Sequence, residues 1–109
     1  MIRVVNKREH TPSPHDVYIG RPSVLGNIYS HRTGTLASII VKNRAEAVAR
    51  YAKWLDANYE SDDKVRREID RLVQMYKDGK HINLVCWCTP FQCHGDVIKR
   101  KVEKLAGEK

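Results

Sequence analysis

The sequence predicts a small single-domain α/β protein, an open sheet covered by helices. Three observations predict it. Short apolar runs bounded by polar residues sit at both ends of the chain, at 2–6 and 82–88. Two stretches between them repeat apolar residues at steps of three and four, the period of a helix packed along one face. The 109 residues, 41% hydrophobic, suit one core and exclude whole-chain disorder. The domain is expected to span 1–109.

In order, Ile2 to Asn6 reads as a first strand, and Lys7 to His15 as a polar loop holding Pro12 and Pro14. Asp16 to Gly20 reads as a second strand ending on glycine. Gly20 to Asn27 is a loop with a glycine near each end. Residues 28–34 carry no clear pattern, and 36–41 suit a short strand or an extended lead-in. Asn43 reads as an N-cap, with Glu46 at capping-box spacing, for a helix over 44–59 whose inward stripe is Val48, Tyr51, Ala52, Leu55 and Tyr59. Trp54 lies at the edge of that stripe as a packing residue. Ser61 is expected to cap a second helix, with Asp62 and Asp63 favoured by the dipole in its first turn and Gly79 after its end. Its stripe is Val65, Ile69, Leu72, Val73 and Tyr76. The run 82–88 is apolar on both faces, as in a strand buried on both sides, and is expected to be central. Thr89-Pro90 stops it, and a final helix over 93–106 turns Val97, Ile98, Val102 and Leu105 inward. The order β, β, α, α, β, α describes a Rossmann-like open sheet with covering helices.

No apolar run approaches the roughly 20 residues of a membrane span. The start of the chain lacks a signal-peptide pattern, so a cytoplasmic protein is expected. An odd number of cysteines, three, fits thiols in catalytic or metal-binding use better than a disulfide framework. The net charge of +7 favours nucleotides, nucleic acid or other polyanions. The excess is spread over helices as spaced residues (Arg66, Arg67, Arg71, Lys77, Lys99, Arg100, Lys101 and Lys104), with no interleaved aromatic pattern of a single-strand binder.

The chemistry concentrates between Ile82 and Asp96, which holds every cysteine together with His94. Cys88 falls near the carboxyl end of a strand and Cys93-His94 at the start of the next helix, the junction where open α/β sheets bind ligands. Cys86 and Cys88 share a strand face, and Trp87 takes the other. Three readings compete. In the first, Cys93 or Cys88 is a nucleophile or ligand group, His94 an acid/base group and Asp96 its orienting group. In the second, Cys86, Cys88, Cys93 and His94 hold one structural zinc, although the C-x-C and C-H spacings differ from usual knuckles. In the third, the cysteines are small core residues. The loop 20–27 supplies Gly20 and Gly26 for close approach, Arg21 as an anion clamp, and Ser23 and Asn27 as hydrogen-bonding groups. If it meets the 88–94 turn on one sheet edge, the two form a cleft. His15 and Asp16 are weaker candidates, and His10, His31 and His81 read as surface residues.

Four segments together resemble a known family: Val4-Val5-Asn6-Lys7, Tyr18-Ile19-Gly20-Arg21-Pro22-Ser23 with Gly26-Asn27, Asn43-Arg44 with Glu46-Ala47-Val48 and Tyr51, and Leu84-Val85-Cys86-Trp87-Cys88 with Pro90 and Cys93-His94-Gly95-Asp96-Val97. That family is found in phages and bacteria and is named only as a domain of unknown function. Ile28 stands where it commonly has proline. The resemblance implies a cytosolic or phage-encoded single domain with these two loops as its signature, and brings no reaction.

The leading functional expectation is a protein that binds a nucleotide- or nucleoside-like ligand between the 20–27 loop and the 88–96 turn, with a transferase or hydrolase step if it is an enzyme. One alternative is a basic nucleic-acid-binding module with a structural zinc. Another is a phage protein docking on a host protein through Lys99, Arg100 and Lys104.

Overall fold

The structure is a computed structural model that describes residues 1–21, 23–30, 39–87 and 93–107. Its elements are β1 (Ile2–Asn6), β2 (Asp16–Tyr18), β3 (Tyr29–Ser30), β4 (Ile39–Ile40), α1 (Arg44–Ser61), α2 (Asp63–Lys77), β5 (Ile82–Cys86) and α3 (His94–Leu105). β1, β5 and β2 form a parallel sheet with β5 in the centre, pairing Ile2 with Ile82 on one side and Asp16 with Asn83 on the other. The pattern of a doubly buried strand is fulfilled: all five residues of β5 are buried. β3, in the region without a clear pattern, and β4, within the 36–41 run that suits a short strand, pair in parallel as a separate two-stranded sheet. The protein is thus mixed α/β, three parallel strands with three helices.

Alternation along the strands gives the sheet two unlike faces. Ile2, Val17, Ile19, Ile82, Leu84 and Cys86 point into the core with Tyr51 and Leu55 of α1, Ile69 and Leu72 of α2, and Ile98 and Val102 of α3. Arg3, Asp16, Tyr18, Asn83 and Val85 alternate with them, and so belong to the other face. Residues 7–15 return across that face.

The amino end of the other face is held by a polar network rather than by apolar packing. Arg3 Nε donates to Asn83 Oδ1 at 2.7 Å, and Asn83 Nδ2 donates to Ser13 Oγ at 3.0 Å and Asp16 Oδ1 at 3.1 Å. His10 Nε2 lies 2.9 Å from Asp16 Oδ1, and the Ser13 N–H donates to Asp16 Oδ2 at 3.0 Å. His10 is therefore a bonded, largely covered residue rather than the surface histidine its neighbours in sequence suggest. His81 is exposed as expected, and His31 lies outside the described residues. Partial burial pushes the Asp16 carboxyl up, but the bonds from Ser13, His10 and Asn83 outweigh it and hold it at about 2. A carboxylate lowered on folding stabilises above its unfolded value, about 4, and that stabilisation is lost as pH falls through about 2. Urea midpoints measured across that window should fall less steeply for Asp16→Asn than for the parent protein.

The helices follow their caps. Asn43 Oδ1 accepts the Glu46 N–H at 2.8 Å, opening α1 where expected. α1 runs two residues further than its apolar stripe requires. Ser61 is therefore its last residue, bonding back to Ala57 O at 3.0 Å, and the cap of α2 is Asp62. A carboxylate suits that place better than a hydroxyl because it accepts both the Lys64 and Val65 N–H groups. Arg66 then folds back on the Tyr59 and Glu60 carbonyls, which end α1. β5 ends at Cys86, two residues short of the expected limit, and Cys88 lies outside the described residues. Among the described residues no helix is long and apolar enough to cross a membrane.

Candidate functional site

Because the three strands are parallel, the segments that follow them leave from one edge of the sheet. Lys7-Arg8 follows β1, Gly20–Asn27 follows β2, and Trp87 follows β5. Ile19, the residue that leads into the 20–27 loop, touches the start of α3: His94 Nε2 lies 2.6 Å from Ile19 O, so the loop and the helix start leave from neighbouring points. They therefore share the sheet edge on which a cleft depends.

On the helix-covered face of this edge lies the cysteine–histidine group. Cys93 is the N-cap of α3, and its sulfur accepts the Gly95 N–H at 3.3 Å. Cys93 Sγ is 3.2 Å from Cys86 Sγ and 3.5 Å from His94 Nδ1. A backbone carbonyl can only accept, so His94 Nε2 carries the proton toward Ile19 and Nδ1 faces the thiol as an acceptor. Burial lowers the His94 pKa, favouring the neutral ring. The ring also meets Tyr51 edge-on, with centroids 5.0 Å apart. Gly95 makes this fit possible: a Cβ there would stand 2.8 Å from Val4 Cγ1 and 3.0 Å from Ile19 Cδ1, too close for either.

Thiol and imidazole thus have the adjacency of a nucleophile and its base, but Cys93 is only 1% exposed and His94 only 5%. Asp96 does not orient His94, since both ring nitrogens face other groups. It lines an open groove of about 330 Å³ with Val48, Lys99, Arg100 and Glu103. For the zinc reading, Cys86, Cys93 and His94 are indeed neighbours. However, among the described residues no group of three or more potential ligands has the arrangement of a metal site, and Cys88 lies outside them.

The 20–27 loop directs its polar groups inward. Ser23 Oγ bonds Gly20 O at 2.5 Å, and Arg21 Nη1 donates to Asn27 O at 2.9 Å and Tyr29 O at 3.4 Å. Asn27 accepts the Tyr29 N–H and donates to Ala47 O, while the Tyr51 hydroxyl reaches Leu25 O at 2.6 Å. Gly26 has Ser23 O, Arg21 Cα and Gly20 O where a Cβ would go. Gly20 leaves room for the Tyr18 ring to fold over it, so that the Tyr18 hydroxyl reaches Arg21 O at 3.3 Å.

The accessible chemistry lies on the opposite face of the same edge. Trp87 is 49% exposed and Tyr18 37%. The indole Nε1 donates to the Tyr18 hydroxyl at 3.1 Å. Lys7 Nζ stands 5.0 Å from the centre of the Tyr18 ring and 5.7 Å from that of Trp87, and the Arg8 guanidinium is 5.7 Å from Trp87. The cluster is anchored by the Lys7 N–H on Cys86 O at 2.8 Å and by Asn6 Nδ2 on Trp87 O at 3.4 Å. None of these residues stands out as a site in the sequence, because they come from three separate strand ends. The available signal was positional: each lies at, or within two residues of, the carboxyl end of a strand.

A small parallel sheet, a glycine-containing loop at its carboxyl edge, and a cysteine-capped helix define the class: a compact mixed α/β domain with its candidate site at the strand ends. The chain belongs to the DUF4326 family, a domain of unknown function, whose family model matches residues 2–104. No curated protein and no solved structure matches the chain.

Proposed function

We propose that the protein binds a nucleotide- or nucleoside-like ligand at the carboxyl edge of its sheet. A single observation carries this reading: Lys7 and Arg8 stand against two exposed aromatic rings, Tyr18 and Trp87, at that edge. An aromatic face takes a base, and adjacent cations take its phosphate. The edge is where open parallel sheets bind ligands, and the net charge of +7 favours an anionic partner.

The reading is one of binding. Cys86, Cys93 and His94 set the geometry behind the edge, coupling α3 to β5 and to Ile19 at the end of β2. Arg21 and Asn27 keep that loop closed.

The test is calorimetric titration with adenosine and uridine monophosphates. Saturable binding is expected, and Lys7→Ala/Arg8→Ala should weaken it by about tenfold or more, the scale of charge-assisted hydrogen bonds to phosphate. Heat signals indistinguishable from buffer, with either nucleotide or a short oligonucleotide, would overturn the reading.

A further inference from the structure

We infer that the Lys7–Arg8–Tyr18–Trp87 cluster is a stacking platform for single-stranded nucleic acid. This rests on the nucleotide reading above and narrows it from a free nucleotide to a strand. Three features favour the polymer.

The first is shape. Small-molecule sites are concave and enclose most of their ligand, whereas Trp87 and Tyr18 stand open at 49% and 37% exposure. An open aromatic surface holds one free nucleotide poorly. It serves a strand well, because contacts to neighbouring nucleotides add along the backbone.

The second is what the rings offer. The indole N–H and the tyrosine hydroxyl are bonded to each other, so the pair presents π surface rather than groups that read base edges. Stacking without edge readout tolerates any base, which suits single strands and not one particular nucleotide.

The third is the arrangement of charge. Lys7 and Arg8 are consecutive at the end of β1, and their heads sit over the rings in cation–π contact. Both are long and flexible. When a base takes a ring face, the cations swing from the rings to the flanking phosphates, exchanging cation–π contacts for ion pairs. The Lys7 backbone stays in the sheet ladder through its N–H to Cys86 O. The platform therefore remains in place while the heads move.

The test is fluorescence anisotropy with labelled oligothymidylate and oligouridylate about ten nucleotides long, competed by thymidine and uridine monophosphates and by inorganic polyphosphate. Strands are expected to bind at least tenfold more tightly than the monophosphates, with affinity falling as salt rises. Trp87→Ala should weaken strand binding by about fivefold to a hundredfold, the range of one lost stack. Trp87→Phe, which keeps a ring but not the indole N–H, should retain most of the affinity. That variant guards against a Trp87→Ala loss caused by misplacing Tyr18. Lys7→Ala should lower the slope of log affinity against log salt by about one. The DNA and RNA probes distinguish the two sources of the same chemistry.

Polyphosphate competing as well as the strands, with Trp87→Ala unchanged, would show charge without stacking and overturn the platform. Monophosphates binding as tightly as strands would overturn the polymer inference and leave the nucleotide reading standing. No binding by either class would remove both.

Discussion

Tyr51→Ala will destabilise the protein by about 3–5 kcal/mol, the usual scale for deleting a large buried ring, and in a domain of ordinary stability it will leave a substantial unfolded fraction at room temperature. Tyr51 is fully buried at the centre of α1's inward stripe. It stacks on Trp54 with centroids 5.3 Å apart and meets His94 edge-on. Its hydroxyl donates to Leu25 O in the loop that follows β2. The residue therefore joins three parts of the chain that no strand ladder connects. Tyr51→Phe separates its two roles. The ring stays, and only the bond to Leu25 is lost, for about 1–2 kcal/mol. Urea denaturation followed by circular dichroism gives both values. Similar losses in the two variants would mean that the hydroxyl, not the ring, carries the stability.

The second large effect concerns His94, and it depends on pH. Burial favours the neutral ring and holds the pKa below its ordinary value. The unfolded chain takes up a proton as pH falls through about 6.5, while the folded ring remains neutral. Stability from this group is thus fully present above that pH and lost as pH falls toward the lowered folded value, with a limiting slope of one proton. His94→Ala should remove this dependence. It should also cost about 2–4 kcal/mol at neutral pH, through the cavity and the unpaired Ile19 carbonyl. Denaturation midpoints at pH 7.5 and 5.5 decide the matter. An equal fall in parent and variant would place the responsible proton elsewhere.

Much of this architecture was legible before any coordinates. Asn43 with Glu46 marked the start of α1, and the stripes through Tyr51 and Ile69 marked the faces of α1 and α2 that became buried. The run 82–88, apolar on both faces, marked the central strand, which the structure ends at Cys86. These features are local, or repeat with a fixed period, and so they are readable in one dimension. Asp62 was missed as the α2 cap because Ser61 and Asp62 are both good caps and only the length of α1 decides between them. The two-residue strands Tyr29–Ser30 and Ile39–Ile40 are too short to show any period. Cys86, Cys93 and His94 lie together at the strand-to-helix junction that the sequence marks. Their burial was not legible, because it depends on Gly95 letting α3 settle against Val4 and Ile19. The aromatic–cation cluster was invisible for a different reason. Tyr18 and Trp87 are 69 residues apart, and they meet only because β5 lies beside β2.

The placement of β5 also dictates the order in which the protein can be made. The register pairs Ile2 with Ile82, so β1 has no neighbour in the sheet until β5 has been synthesised. At about 5–20 residues per second that interval is roughly 4–16 seconds. α1 and α2, joined through Asp62, need only local contacts and can pair during this time. Ile2 and Val4 meanwhile remain on an unpaired apolar strand, the kind of segment that chaperones hold and that aggregates in their absence. Synthesis rate and chaperone supply should therefore bear on the yield of this protein.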